Sequence, residues 1–290
     1  MRTAIVTDSN CGIPAEEAAS MGVFVVPMPV VLGDTVLEEG VTLTSGELIR
    51  RLNSGERAKT SQPAPAAVTA VWDRVFREGY EELVYLPMSS GLSGCCQTAR
   101  AIGAWYPKPV FVADVRRISV TQRQAVEDAV RLRQSGMGAW EIRTQLEQNA
   151  DKSVILVAVD DLSYLKRGGR ITPAAAAMAS VLNVKPLLII RGKMIDSFEK
   201  VRGQKQCRKR LLESMQSFTG EYRQNGYALH VGVAGSFLCD EDAAAWLEMA
   251  QEAFPDEDVR YDPLTASISC HTGPNAFGMG ISVRPADLTV

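Results

Sequence analysis

The alternation of strand-like and helix-like segments is the feature that most constrains the fold of this chain of 290 residues. Apolar runs such as TAIVT (3–7), ELVYLP (82–87) and PVFVAD (109–114) predict buried strands, and segments with helical periodicity lie between them. Strands that alternate with helices form a mostly parallel sheet with helices on both faces. The pattern therefore predicts the α/β class.

The pattern begins again at SVILVAVDDL (153–162), which predicts another strand. We therefore expect two packed α/β domains, residues 1–153 and 154–290, with the mostly parallel sheet in the first. In the second half, KRGGR (166–170) predicts a turn, the segment around Arg191-Gly192-Lys193 the turn of a hairpin, and VRYDPLTASIS (259–269) a last extended segment. A cleft between two such domains commonly holds a ligand, and we expect the binding site there.

Composition and residue spacing exclude several classes of protein. The net charge is −3, from 31 basic and 34 acidic residues, which gives no reason to expect a nucleic-acid partner. No apolar run approaches the length of a membrane span, and no signal-peptide pattern is visible, so the cytoplasm is the expected compartment. The six cysteines form no CxxC pair, and there are only two histidines, so we expect free thiols, no metal site and no cofactor.

Four polar loops are predicted at the ends of strands, where open α/β sheets bind ligands: TDSN (7–10), KTSQP (59–63), SSGLSG (89–94) and CHTGPNAFG (270–278). SSGLSG lies at a strand-to-helix turn, which leaves backbone N–H groups unpaired and favours an anion. Each loop alone could simply cap a helix. Together the loops offer hydroxyls, N–H groups and one imidazole, a neutral set that suits a carboxylate better than a phosphate.

A catalytic alternative stays open at this point. Ser93 lies where a hydrolase nucleophile would lie, but the local sequence GLSGC is not the G-x-S-x-G of a nucleophile elbow. A Ser–His–Asp assembly of Ser93, His271 and Asp8 is compatible with the sequence, although nothing further supports it. No phosphate-binding P-loop motif is present.

The helix PAAAAMASVLN (173–183) carries alanines where a packed core would use larger residues. Small side chains allow close packing, or they leave space for a long apolar ligand. On the second interpretation, the residues expected to line a tunnel are Met28, Ala177, Met178, Leu182, Leu187 and Ile189. The basic segments KRGGR (166–170) and KVRG (200–203) are either solvated faces or a site for a phosphate or an acidic partner.

The motifs TDSN, KTSQP, SSGLSG, DDLSYLKRGGRI, VKPLL and HTGP occur in an order that resembles the DegV family over nearly the whole chain. The resemblance implies two α/β domains with a long-chain fatty acid bound between them. It also implies that the carboxylate is held by the TSQ and GLSG motifs and by the histidine of HTGP. In this sequence the corresponding residues are Thr60, Ser61, Ser93, Gly94, His271 and Thr272.

Some members of this family are the binding subunits of a bacterial fatty acid kinase. They present the carboxylate to a separate ATP-using subunit, which forms an acyl phosphate. The resemblance therefore implies a non-catalytic lipid-binding protein with a kinase partner, and it assigns Arg170 and Arg202 to the phosphate or partner surface. An esterase that uses Ser93 and His271, or a lipid sensor or transport protein without a kinase, are the alternatives.

The sequence departs from the family pattern at several positions. Glu38-Glu39 lies where Tyr-Asp is usual, Val115 follows Asp114 where serine is usual, and Asn275 replaces a glycine. These differences leave the expected carboxylate-binding residues intact. They leave acyl-chain preference and partner choice open.

Overall fold

The computed structural model describes residues 2–178 and 184–285. Strands and helices alternate along the chain, as the sequence predicts. The elements of the N-terminal half are β1 (Thr3–Asp8), α1 (Ala15–Ser20), β2 (Val23–Val26), β3 (Pro29–Leu32), β4 (Thr35–Glu38), α2 (Ser45–Asn53), β5 (Ala58–Thr60), α3 (Pro65–Arg77), β6 (Glu82–Leu86), α4 (Cys95–Gly103), β7 (Val110–Val112), α5 (Val120–Gln134) and α6 (Ala139–Gln148). Those of the C-terminal half are β8 (Ser153–Ala158), α7 (Ser163–Gly168), α8 (Pro173–Ala177), β9 (Val184–Ile190), β10 (Asp196–Arg202), α9 (Gln204–Gln224), β11 (Leu229–Gly235), α10 (Asp240–Ala253), β12 (Arg260–Pro263), α11 (Ala266–Thr272) and β13 (Phe277–Val283).

The first sheet is parallel, and its four strands have the order β2-β1-β6-β7. All six residues of β1 are buried, because helices cover both faces of the sheet. Helices α3 and α4 pack on one face, where Trp72 is fully buried, and α1, α5 and α6 pack on the other. This arrangement confirms the predicted α/β class.

Two prolines divide the segment 23–33, which the sequence predicts as one irregular strand. β2 ends at Val26 and forms an edge of the parallel sheet. β3 begins at Pro29 and pairs with β4 and β5 in a separate antiparallel sheet. Because proline cannot donate to a strand ladder and fixes φ, the chain leaves one sheet and enters the other at this point.

The second large sheet is mixed, with the strand order β10-β9-β8-β13-β11-β12. The prediction of one extended segment over 259–269 is wrong, since residues 260–263 form β12 and residues 266–272 form α11. The sequence pattern also does not reveal β13, which lies in the centre of this sheet between β8 and β11. Its sequence FGMGISV contains two glycines, which weaken the strand signal.

The predicted hairpin is confirmed, because β9 and β10 pair antiparallel on either side of residues 191–195. The first three residues of the basic segment predicted as a turn form the end of α7. Gly169, which follows the helix, has a left-handed backbone conformation. Thr172 caps α8 by accepting a hydrogen bond from the Ala175 N–H. Within residues 2–178 and 184–285, no helix has the length and apolar character required to cross a membrane.

Helix α5 lies between the two large sheets and contacts both. Its buried polar side chains bind the second half of the chain: Asp128 Oδ1 lies 2.8 Å from His230 Nε2, and Ser282 donates to Gln124 at 2.7 Å. Hydrogen bonds in such a shielded place are strong and directional. They fix how the two halves of the chain lie against each other.

All strands of the parallel sheet precede Ser153, and all strands of the mixed sheet begin at or after it. We propose the domain boundary there, with domains 1–153 and 154–290. Packing contacts cross this boundary, because Val30 of the small sheet and Leu48 of α2 pack against Ala266 and Cys270 of α11. An N-terminal element therefore supports a C-terminal helix.

Candidate functional site

A cavity lies between the two halves of the chain, where the loops after β1, β5 and β6 meet α11 and the faces of β8 and β13. The space between its lining atoms, together with the part that is open to solvent, is about 930 Å³. The walls are mostly apolar and include Met28, Met88, Leu92, Val157, Ile190, Ile195 and Ile268. A cavity of this kind suits a ligand that is largely hydrocarbon.

Polar side chains from three separate segments line the same cavity. Thr60 is the last residue of β5, Ser61 and Gln62 follow it, and Ser93 precedes α4. His271 and Thr272 form the last residues of α11. Gly94 caps the N-terminus of α4, and a Cβ atom there would lie 3.1 Å from Gln62 Oε1. The fold thus brings the predicted polar residues to one region, although they are far apart in sequence.

His271 bonds directly to Thr60, with 2.8 Å between Nε2 and Thr60 Oγ1. Its Nδ1 atom is buried against Gly168 and has no hydrogen-bond partner among the described residues. A buried N–H without an acceptor is rarer in proteins than an acceptor without a donor, so we assign the proton to Nε2. The imidazole then donates to Thr60, and the Thr60 hydroxyl proton is free to bind a ligand.

Burial and, to a lesser extent, the charge of Arg170 together lower the pKa of His271 from 6.5 to about 4. The imidazole is therefore neutral at pH 7. The Arg170 guanidinium also lines the cavity, and it donates to the Gly168 carbonyl. The expected neutral donor set is thus incomplete, since one positive charge lies beside it.

The lowered pKa of His271 predicts a pH-dependent stability. Between pH 6.5 and about 4 the unfolded chain binds the His271 proton and the folded chain does not, so the free energy of unfolding falls as the pH falls. Between pH 7.5 and pH 4.5 we expect the free energy of unfolding to fall about 2–3 kcal/mol less in His271→Gln than in the wild type. Urea unfolding of both proteins at pH 7.5 and pH 4.5 measures it. An equal loss of stability in the two proteins would contradict the assignment.

Ser93 does not form a catalytic assembly in this structure. Its hydroxyl donates to Cys95 Sγ at 3.0 Å and accepts from the Cys95 N–H at 3.2 Å. The Asp8 carboxylate accepts from the Met88 N–H and from Gln122 Nε2, and neither ring nitrogen of His271 bonds to it. Asp8 also caps the 3-10 turn 9–11. The triad that the sequence left open is therefore not assembled.

The structure brings some, but not all, of the predicted acyl-wall residues to the cavity. Met28 lines the cavity, and Met178 is buried in the same apolar cluster. The prediction that Leu187 and Ile189 line the cavity is wrong. Both pack on the opposite face of the sheet, against the cluster that contains residues of α9. Successive residues of a strand point to opposite faces, so their neighbours Leu188 and Ile190 face the cavity cluster instead.

Three further residues that the sequence assigns to the site do not line the cavity or are not described. Ala177 is exposed, and Ala175 is the buried alanine of α8. Leu182 lies outside the described residues. Arg202 is exposed at the end of β10 and lines a separate surface groove with the first turn of α9, so the structure does not bring it to Arg170.

Comparison with known proteins agrees with the motifs. A model of a family described as uncharacterised DegV proteins matches residues 2–284. The chain belongs to the DegV family. A DegV domain-containing protein of Streptomyces coelicolor is 33% identical over 283 residues, which cover 97% of this chain and 98% of the relative.

Solved structures of DegV proteins have the same fold. A fatty-acid-binding DegV family protein from Thermus thermophilus superposes with a TM-score of 0.87 at 26% identity, over 98% of this chain and all of the other. DegV of Bacillus subtilis, described as a fatty acid binding protein, superposes with a TM-score of 0.84 at 26% identity, over 98% and 99% of the two chains.

Proposed function

We propose that this DegV protein binds one long-chain fatty acid in the cavity between its two halves. The observation that carries the proposal is an apolar cavity that also contains a compact set of donors on Thr60, Ser93 and His271, with Arg170 beside them. A fatty acid has the same division into a hydrocarbon chain and one anionic group. The fatty-acid binding described for the relatives from Thermus thermophilus and Bacillus subtilis supports this choice.

Physical chemistry explains why both parts of the cavity are needed. Burial of the chain contributes about 0.8 kcal/mol for each CH₂ group. A buried carboxylate without partners costs several kcal/mol, so hydroxyl and guanidinium donors must replace its water. In this account Thr60, Ser61 and Ser93 donate hydroxyl hydrogen bonds to the carboxylate, while His271 orients Thr60 and Arg170 supplies a positive charge.

The test compares ligands that differ only at the head group. Delipidated protein is titrated with a C16 fatty acid and with its methyl ester by isothermal calorimetry. We expect the acid to bind at least about tenfold more tightly, since charge-assisted hydrogen bonds contribute about 1.5–3 kcal/mol. Equal affinities would show that the polar cluster does not bind a carboxylate, and binding of neither ligand would contradict the proposal as a whole.

Neighbouring residues of β9 provide a matched test of the acyl wall. Ile190→Trp is expected to weaken binding of a C18 fatty acid about tenfold, because the indole takes the space of about two CH₂ groups. Ile189→Trp lies on the opposite face and is expected to change stability without changing affinity. Calorimetric titration measures both. The reverse order of effects would mean that the chain does not lie against this face.

We further propose that the bound carboxylate is presented to a separate fatty acid kinase subunit. Arg202 is exposed and lines a surface groove separate from the cavity, which suits a residue at a partner surface. In a coupled assay with a kinase subunit, Arg202→Ala is expected to retain the fatty acid and to lower acyl phosphate formation. Loss of lipid retention would instead assign Arg202 to ligand binding.

Two other functions predict different results. An esterase would give a burst of product with an activated ester, and Ser93→Ala would abolish that burst. The hydrogen bonding of Ser93 to Cys95 rather than to a base argues against this function. A lipid sensor or transport protein would bind the fatty acid equally well but would form no acyl phosphate with any kinase subunit.

A further inference from the structure

The short helix α11 carries two of the polar residues of the cavity, His271 and Thr272, but its own N-terminus lacks a local cap. Thr265 lies at the cap position, but its hydroxyl, 3.3 Å from the Ser267 hydroxyl, accepts no capping hydrogen bond from a backbone N–H of the helix. A helix of seven residues has little stability of its own, so the position of α11 depends on contacts from outside it.

Glu39 supplies such a contact from the other half of the chain. Its Oε1 atom accepts from the Ser267 N–H at 2.6 Å, in the first turn of α11. Its Oε2 atom accepts from the Ser9 hydroxyl and lies 3.1 Å from the Ser267 hydroxyl. Glu39 is only 5% exposed, so these bonds are shielded from water.

Glu39 and its partner Ser9 also bind the backbone of Met28, which lines the cavity. The Glu39 N–H donates to the Met28 carbonyl at 3.0 Å, and the Met28 N–H donates to Ser9 Oγ at 2.9 Å. The Ser267 hydroxyl also lies 2.8 Å from Asn10 Oδ1. The cavity is lined by Asn10, which follows β1, by Met28, which lies between β2 and β3, and by Ser267 of α11. The hydrogen-bond network therefore joins these three segments at the wall of the cavity.

We infer that Glu39 is a positioning residue for carboxylate recognition: it fixes the start of α11 so that His271 stays within hydrogen-bond distance of Thr60. The inference rests on the proposed fatty-acid binding. His271 follows Ser267 by four residues and therefore lies one turn further along the same side of the helix. A shift of the first turn moves the imidazole away from Thr60. Burial raises the pKa of Glu39, and hydrogen bonds from Ser9 and Ser267 oppose this shift.

The experiment uses Glu39→Gln in the full chain and measures the affinity ratio between a C16 fatty acid and the C16 fatty alcohol. Glutamine keeps the size of the side chain, but one of its ends donates where both glutamate oxygens accept. We expect the preference for the acid to fall at least about fivefold, because the donors that bind the head group lose their alignment. Glu38→Gln changes the exposed neighbour and is expected to keep the wild-type ratio.

A merely structural role gives a different result. If Glu39 only stabilises the fold, both ligands weaken equally, the ratio stays at the wild-type value, and the inference is overturned. In a His271→Ala background, Glu39→Gln is expected to cause no further loss of the ratio, and an additive loss would also overturn it. Ser9→Ala removes a donor to Glu39 and provides a milder test if Glu39→Gln does not fold. Failure of the wild type to prefer the acid would instead refute the proposed function itself.

Discussion

Replacing His271 with alanine is expected to weaken the binding of a long-chain fatty acid about 10- to 100-fold. The substitution removes the Nε2–H that holds the Thr60 hydroxyl at 2.8 Å and leaves a space beside Gly168. Loss of alignment in a charged hydrogen-bond set costs about 1.5–3 kcal/mol, which corresponds to that range. Isothermal calorimetry with delipidated protein and a C16 fatty acid measures the change.

Two variants of Thr60 serve as controls for this prediction. Thr60→Ser keeps the hydroxyl and is expected to bind close to the wild type. Thr60→Val keeps the shape without the hydroxyl, and it is expected to reproduce much of the loss seen in His271→Ala. Wild-type affinity in His271→Ala would exclude the Thr60–His271 pair from ligand binding.

Replacing Gly91 with alanine is expected to destabilise the protein strongly, because the added methyl group meets backbone atoms. A Cβ atom at Gly91 would lie 2.6 Å from both the Gly192 carbonyl oxygen and Lys193 Cα, and neither backbone atom can rotate away. The tip of the β9–β10 hairpin must then move, and the bond from the Ser89 hydroxyl to the Gly192 carbonyl is lost. We expect a loss of about 2–4 kcal/mol in the free energy of unfolding.

The same displacement is expected to impair ligand binding, because Ile190 and Ile195 at the two ends of this tip line the cavity. Urea unfolding measures the stability, and retention of extracted lipid reports the binding. Gly220→Ala is the matched control, since a Cβ atom there meets no atom within 4 Å and alanine favours its helix. Equal stabilities of the Gly91 and Gly220 variants would show that the hairpin tip does not pack on this loop.

The fold class could be predicted from the sequence because the strands of the parallel sheet are buried on both faces. β1 and β6 are continuous apolar runs, and such runs give a strong local signal. β13 has an equally central position, but two of its residues are glycines that meet α5 and the neighbouring strand β8 closely. Its place in the sheet depends on these contacts, which no local pattern records.

The polar cluster was predictable as a set of residues but not as a geometry. Thr60 and His271 are separated by 211 positions, and their contact depends on packing between the small sheet and α11. Leu187 and Ile189 face away from the cavity; residues 187–190 are all apolar, so the sequence does not show which face of β9 borders the cavity. The sequence gives no signal for the hydrogen bond from the Ser267 N–H to Glu39, because the two residues are 228 positions apart.

The proposed binding of one long-chain fatty acid is best tested by native mass spectrometry of the purified protein, followed by solvent extraction and identification of any bound lipid. We expect one fatty acid for each wild-type chain and a smaller bound fraction in His271→Ala. The extracted chain length then reports the preference of the cavity. A protein that is empty and also refuses added fatty acids would contradict the account.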